Sequence, residues 1–290
     1  MGKVLVTGAS GFLGSHVVDE CTRRGYDVTL FDKVTSPYAA EGQMMVVGDI
    51  NDFNLLSQIT EDVDYVYHFA GLVDIDECSK IPREVVQTNI LGTVNMLEAC
   101  RLNSVKRFVF ASSAYVFSNY GSFYRSSKRA AESFITDYYD MHGLEYVILR
   151  FGSLYGLRSN EQNGVYRIIK ALMNNDEYRY NGTGEEIREL INVFDAAKIS
   201  VDVLEEQYRN EKLLVTGIER LKMRDVIDMV KEIIGRDVKI VFDYNSQSSH
   251  YKITPYNYDL GYSHKIVNNP YVDIGQGIIQ VIHEIIGAEQ

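Results

Sequence analysis

The segment "VLVTGASGFLGSHVVDE" sets three glycines, Gly8, Gly11 and Gly14, between a β-branched run and an amphipathic stretch. A strand that turns at once into a helix through glycines at such spacing has few structural solutions. Glycine permits the tight turn, lets backbone approach a bound group, and lets the helix pack closely on the strand. The new helix opens with unpaired N–H groups, a setting that cradles a pyrophosphate, and Ser10, Phe12 and Leu13 lie within the same turn. Asp32 closes the next apolar run. A carboxylate there accepts hydrogen bonds from adenosine ribose hydroxyls and repels a 2′-phosphate. The expectation is a dinucleotide site that takes NAD. Lys33 is the one neighbour that could instead receive a 2′-phosphate.

The rest of the first half keeps the same rhythm. Short apolar runs ("DVTLF", "MMVV", "DYVYHF", "RFVFAS", "EYVILR") read as strands, and 14–24, 84–102 and 126–142 read as helices. Near-continuous apolar strands alternating with helices imply a parallel sheet covered on both faces, with ligands beyond the carboxyl ends of the strands. The expected fold is α/β: a Rossmann-type, doubly wound parallel sheet with a smaller mixed α/β substrate lobe. Residues 1–158, joined by about 191–217, form the dinucleotide-binding domain; about 159–190 and 218–290 form the lobe. In the second half, helices are expected at 165–174 and 194–206 and a strand at 213–216.

With 290 residues, 46% of them hydrophobic, the chain can bury a large core, and its net charge of −11 argues against nucleic acid or an anionic membrane as partner. Cys21, Cys78 and Cys100 lack metal-ligand spacing, so buried thiols and no metal are expected. No apolar run reaches the roughly 18 residues of a membrane span, and no signal peptide is evident, which points to the cytoplasm. The 21 tyrosines with no tryptophan have no functional reading from sequence.

Further along, "GDI" follows the third strand, where Asp49 could bond an adenine amine and Ile50 pack on its ring. "HFAG" ends the fourth strand with Phe69, Ala70 and Gly71 close to the cofactor, and His68 reads as a packed histidine. The stretch "SSAYVFSNYGSFYRSSK" then sets Ser112 and Ser113 before Tyr124 and Lys128, which are one helical turn apart and so share a face.

Together "TGASGFLG", Asp32, "GDI", "HFAGL", "NILGTVNMLEA", "SSAYVF" and "YRSSK" resemble the extended short-chain dehydrogenase/reductase family, in its nucleotide-sugar epimerase/dehydratase branch. "HFAGL" is similar to UDP-galactose 4-epimerases. The resemblance implies that Tyr124 is the base for a sugar hydroxyl, that Lys128 favours its phenolate and binds the nicotinamide ribose, and that Ser113 orients the substrate and relays the proton. It also places Asn89 and Ala111 at the cofactor, and Ser112 and Ser153 at the substrate. Arg188, in "EEIRELINVFDAA", takes the position of a diphosphate clamp, with pairing to Glu185 or Glu189 as the alternative. Arg158 and Arg167 are further cations of that region.

Dehydratases and decarboxylases of the branch carry acidic residues where Ala114 and Tyr115 stand. What remains is hydride transfer at one carbon, C4: a nucleotide-sugar 4-epimerase, a C4 dehydrogenase or a 4-ketoreductase. A non-catalytic NAD-sensing protein on the same fold stays open beside them. The spacer between Ser113 and Tyr124 is about half the usual length, which predicts a more open pocket or one covered by the second lobe or a partner chain. Family members pair through helices matching 84–102 and 126–142, so a homodimer is expected.

Overall fold

The computed structural model describes residues 2–243, 250–255 and 264–288. Parts of the expected 218–290 segment, and its last two residues, therefore lie outside the described residues.

The first element is β1 (Lys3–Thr7), buried along all but its first residue, and it feeds through the glycine turn into α1 (Phe12–Arg23). Then follow β2 (Asp27–Asp32), β3 (Met44–Val47), α2 (Phe53–Ile59) and β4 (Tyr65–His68). A short α3 (Ile75–Cys78) precedes one continuous helical run: α4 (Pro82–Val85), a π-helical segment Val86–Leu91, and α5 (Gly92–Leu102). Next come β5 (Arg107–Ser113), a 3-10 turn Ala114–Phe117, α6 (Ser122–His142), β6 (Glu145–Phe151) and β7 (Ser153–Tyr155). The second half has α7 (Gly164–Asn174), β8 (Glu177–Tyr180), β9 (Ile187–Arg188), β10 (Leu190–Asn192), α8 (Val193–Asp202) and β11 (Glu211–Val215). It closes with β12 (Leu221–Lys222), α9 (Met223–Ile234), β13 (Lys239–Phe242), β14 (His264–Ile266) and α10 (Ile274–Ala288).

Among the described residues the main sheet has eight strands in the order β14-β11-β6-β5-β4-β1-β2-β3, every pair parallel. The order reverses between β1 and β4, and it is at such a switch point that parallel sheets open a crevice for ligands. Two apolar layers cover the faces. One gathers Val17, Val18 and Cys21 of α1 with Ala196, Ile199 and Val201 of α8. The other gathers Leu56, Met96, Leu97, Ala131 and Ile135. A third core, built from Ile168, Ile169 and Leu172 of α7, Val226, Ile227 and Val230 of α9, and Ile278, Val281 and Ile282 of α10, stands apart from the sheet. β14, although late in the chain, belongs to the sheet as its edge strand beside β11.

Some boundaries shift. α6 begins at Ser122, so both Tyr124 and Lys128 sit on it. α8 stops at Asp202, four residues short of the expected end. The helix expected from 84 begins at Pro82, a residue suited to a first turn because its missing N–H would be unpaired there anyway.

Candidate active site

The glycine turn is as crowded as its sequence implies. Gly8 has φ +69°, and a Cβ on it would lie 2.7 Å from Ala70 N; a Cβ on Gly14 would lie 2.1 Å from the Gly8 carbonyl oxygen. Neither place admits another residue without moving backbone. A cavity of about 510 Å³ runs from this turn along the strand ends. Its lining includes Gly8, Gly11, Phe12, Leu13, Gly14, Asp32, Lys33, Ile50, Phe69, Ala70, Gly71, Ala111, Ser112, Ser113, Tyr124 and Lys128. The glycine cradle at a helix N-terminus, Asp32 and the length of the cleft fit a dinucleotide.

Ser10, Asp49 and Asn89 do not line it. Ser10 acts behind the wall: its N–H donates to Asp32 Oδ2 at 2.9 Å while Lys33 N–H donates to Oδ1 at 2.7 Å, which fixes the carboxylate. Asp49 accepts from Asn51 N–H and pairs with Lys33 Nζ at 3.2 Å. Lys33 is thereby drawn to Asp49, which competes with any 2′-phosphate for its charge. Asp52 caps α2.

Beneath the cleft lies a buried polar chain that sequence reasoning missed. Thr7 Oγ1 accepts the N–H groups of Phe69 and Ala70 and lies 2.9 Å from His68 Nδ1; His68 Nε2 lies 3.1 Å from Thr93 Oγ1. Thr93 gives its one hydrogen to the Asn89 carbonyl, so it must receive from Nε2–H, and Nδ1 accepts from Thr7. Burial pushes His68 down to about 3, which keeps it neutral and suits it to this bridging role. Asn89 sits in the π-helical segment, where the extra residue per turn aims its amide at Leu72 N–H, Leu72 C=O and Ser127 Oγ. It shapes the loop that carries Gly71; it does not face the cleft.

Ser113, Tyr124 and Lys128 meet at the inner end of the cavity. β5 delivers Ser113, the 3-10 turn reverses the chain, and Gly121 at φ +91° starts α6. Tyr124 is buried, and burial pushes its phenol up to about 12 although its hydrogen bond to Ser113 acts the other way. Lys128 donates to the Ala111 carbonyl at 2.8 Å and stands 4.7 Å over the Phe110 ring; burial lowers it to about 8. Its Nζ is 5.9 Å from the centre of the Tyr124 ring. Desolvation dominates both groups and, without the positive nicotinamide ring, holds Tyr124 as a neutral phenol.

Ser112 needs a correction. Its hydroxyl donates to Glu132, which is paired with Arg150 at 2.7 Å inside the protein. Its hydroxyl therefore anchors the end of β5 to α6, while the residue itself still lines the cleft.

A second cavity, about 1140 Å³, adjoins the first and shares Ser113 and Tyr124 with it. Ser153, Arg167 and Arg188 line it, as do Tyr115, Tyr178, Tyr180 and Tyr251, so part of the chain's tyrosine excess gathers here. Arg188 stacks 4.5 Å over the Tyr251 ring and donates to the carbonyls of Ile187 and Lys252. Its alternative partners are engaged elsewhere: Glu185 with Lys222 and Arg224, Glu189 with Lys265 and Thr216. Ser153 Oγ lies 3.4 Å from Tyr251 Oη. Arg158 departs from the expected region; it pairs with Asp19 of α1 and stacks on Tyr38. Of residues 250–255, His250 and Tyr251 line this cavity.

The family profile described as the NAD dependent epimerase/dehydratase family matches residues 4–215. The provisionally named UDP-glucose 4-epimerase of Methanocaldococcus jannaschii is 30% identical, with 97% of each chain covered. The UDP-glucose 4-epimerase of Thermotoga maritima, solved with UDP-glucose, superposes with a TM-score of 0.87 at 22% identity over 99% of this chain and 100% of that one. The Thermus thermophilus UDP-glucose 4-epimerase, solved with NAD, gives 0.83 at 22% identity over 99% of both.

Proposed function

This chain belongs to the NAD dependent epimerase/dehydratase family, and from that premise we propose that it inverts C4 of a UDP-linked sugar. The observation that carries the reading is the meeting of the two cavities at Ser113 and Tyr124. One holds a dinucleotide and the other, with its arginines and aromatic rings, suits a nucleotide diphosphate joined to a sugar. The turn Gly8–Gly14, Asp32, Ile50, Phe69, Ala70, Gly71 and Lys128 would hold NAD. Bound NAD supplies the hydride acceptor and a positive ring that favours ionisation of a nearby phenol. Tyr124 Oη takes the proton of the C4 hydroxyl, and Ser113 Oγ, hydrogen-bonded to that phenol, orients the hydroxyl. Arg188, preorganised by Tyr251 and two carbonyls, grips the diphosphate. The unit built around the third core, with residues 250–255, serves as the substrate lobe.

Epimerisation needs only these groups. Ala114 and Tyr115 supply no carboxylate to expel a hydroxyl at C6, which separates the reading from dehydration. The test is incubation with UDP-glucose, UDP-galactose and UDP-glucuronate, followed by NADH absorbance and product stereochemistry. The 4-epimer without net NADH is the expected result. NADH accumulating with a keto sugar would replace the epimerase with a dehydrogenase.

The homodimer is proposed through the run Pro82–Leu102 and α6, where Val86, Leu91, Phe123, Phe134 and Met141 are exposed. Sedimentation velocity should give twice the monomer mass; a monomer at micromolar concentration would reject this. The three cysteines are free and buried, which supports a reducing, cytoplasmic setting. Among the described residues no helix is long and apolar enough to cross a membrane.

A further inference from the structure

The short turn between Ser113 and Tyr124 gives Tyr115 an uncommon set of partners. Its hydroxyl meets His250 Nδ1 at 2.6 Å. Its ring packs on Tyr251 with centroids 4.5 Å apart and stands edge-on to Tyr124 at 6.2 Å. Gly121 makes the room, since a Cβ there would fall 2.7 Å from the Tyr115 ring. His250 and Tyr251 arrive on a segment clipped to β9: Ile187 N–H donates to the Lys252 carbonyl at 2.8 Å, and Thr254 N–H to the Ile187 carbonyl at 3.2 Å. Ser113, Tyr115, Tyr124 and His250 all line the larger cavity.

The chemistry of the pair has a direction. Burial lowers His250, so the imidazole is neutral and one ring nitrogen is an acceptor; burial raises Tyr115, so the phenol keeps its proton. Between a phenol and a neutral imidazole the phenol is the stronger acid and donates. With that single hydrogen committed to Nδ1, the oxygen has only lone pairs left for another partner.

We propose that Tyr115, its proton held by His250, is a specificity-determining acceptor for a hydroxyl on the sugar of the bound nucleotide sugar. His250 is the positioning residue. A group at that place with no hydrogen to give, such as a carboxylate, leaves two acceptors facing each other and is disfavoured. The inference rests on the nucleotide-sugar reading and adds to it which polar group on the sugar is selected.

Titration calorimetry of the full chain in saturating NAD, with UDP and with UDP-glucose, tests it. Tyr115→Phe should weaken UDP-glucose by about tenfold and leave UDP within about twofold, the loss expected for one hydrogen bond to a neutral group. His250→Leu should do the same, whereas His250→Asn, whose amide oxygen can accept the phenol proton, should restore most of the affinity. A role in filling space alone would not separate leucine from asparagine. An unchanged UDP-glucose to UDP ratio in Tyr115→Phe, or equal affinities for the two His250 variants, overturns the proposal while the enzyme reading stands. A wild-type chain that binds neither compound would bring down the reading and this inference with it.

Discussion

Tyr124→Phe is expected to lower turnover of the UDP-sugar by about a thousandfold or more, while NAD binding stays within about twofold. General acid–base groups contribute roughly 10²–10⁴-fold, and in the proposed mechanism one oxygen atom carries the proton of the reacting hydroxyl. The ring itself does structural work that phenylalanine can continue: it packs with Ile75, Cys78 and Val85. In the proposed binding mode the dinucleotide is anchored at the glycine turn and Asp32, which line the same cleft. The substitution also removes the buried hydroxyl that bonds Ser113, so the variant's stability should stay within about 1 kcal/mol of the parent. Single-turnover assays alongside NAD titration check both halves. Turnover within tenfold of wild type would remove Tyr124 from the proton transfer and leave Ser113 to be tested in its place.

What could be read in advance was whatever depends on neighbours in the chain. The glycine turn is dictated by backbone geometry within a few residues, so Gly8, Gly11 and Gly14 announce both the fold and the cleft. Period and β-branching mark the strands for the same reason. The short spacer was equally visible, though not its resolution: Tyr115 and His250 are 135 positions apart, and no local pattern joins them. The π-helical segment is a similar case, because one added residue in a turn leaves the composition unchanged while redirecting Asn89. Ser112 was misjudged because its partner is a buried carboxylate one helical turn beyond Lys128, seen only once β5 and α6 are packed. Adjacency to the substrate region left the direction of Arg158 open, and its left-handed backbone (φ 62°) accompanies a side chain paired with α1. In each instance the missing information was long-range packing. The balance of charge and desolvation at Lys128 and Tyr124 was legible only in its first part: charge proximity can be read from the helical spacing, but desolvation is a property of the folded site.

That balance leads to the second large effect. Lys128→Met should abolish most activity, by at least about a hundredfold, and at the same time stabilise the protein at neutral pH. The ammonium is buried, and its affinity for a proton has fallen from 10.5 to about 8. At about 1.4 kcal/mol per unit, holding the charge in the folded state costs about 3 kcal/mol at pH 7. Methionine fills a similar volume without the charge. It forfeits the bond to the Ala111 carbonyl, worth about 2 kcal/mol for a charged donor, which leaves a net gain of about 1 kcal/mol. The sign with pH follows from the depressed value. In the wild type, stability attributable to this group is present above the unfolded value of 10.5 and is lost as pH falls through about 8. The variant's advantage should therefore be full below pH 8 and turn into a deficit of about 1 kcal/mol above 10.5, where the neutral amine keeps its bond to Ala111. Urea unfolding of both chains at pH 7 and pH 10 measures it. If the two chains have equal midpoints at pH 7, the lysine is not held at a cost and its ammonium is solvated in the folded protein. If the variant is stable but inactive, as argued, the site retains a destabilising charge because catalysis requires it.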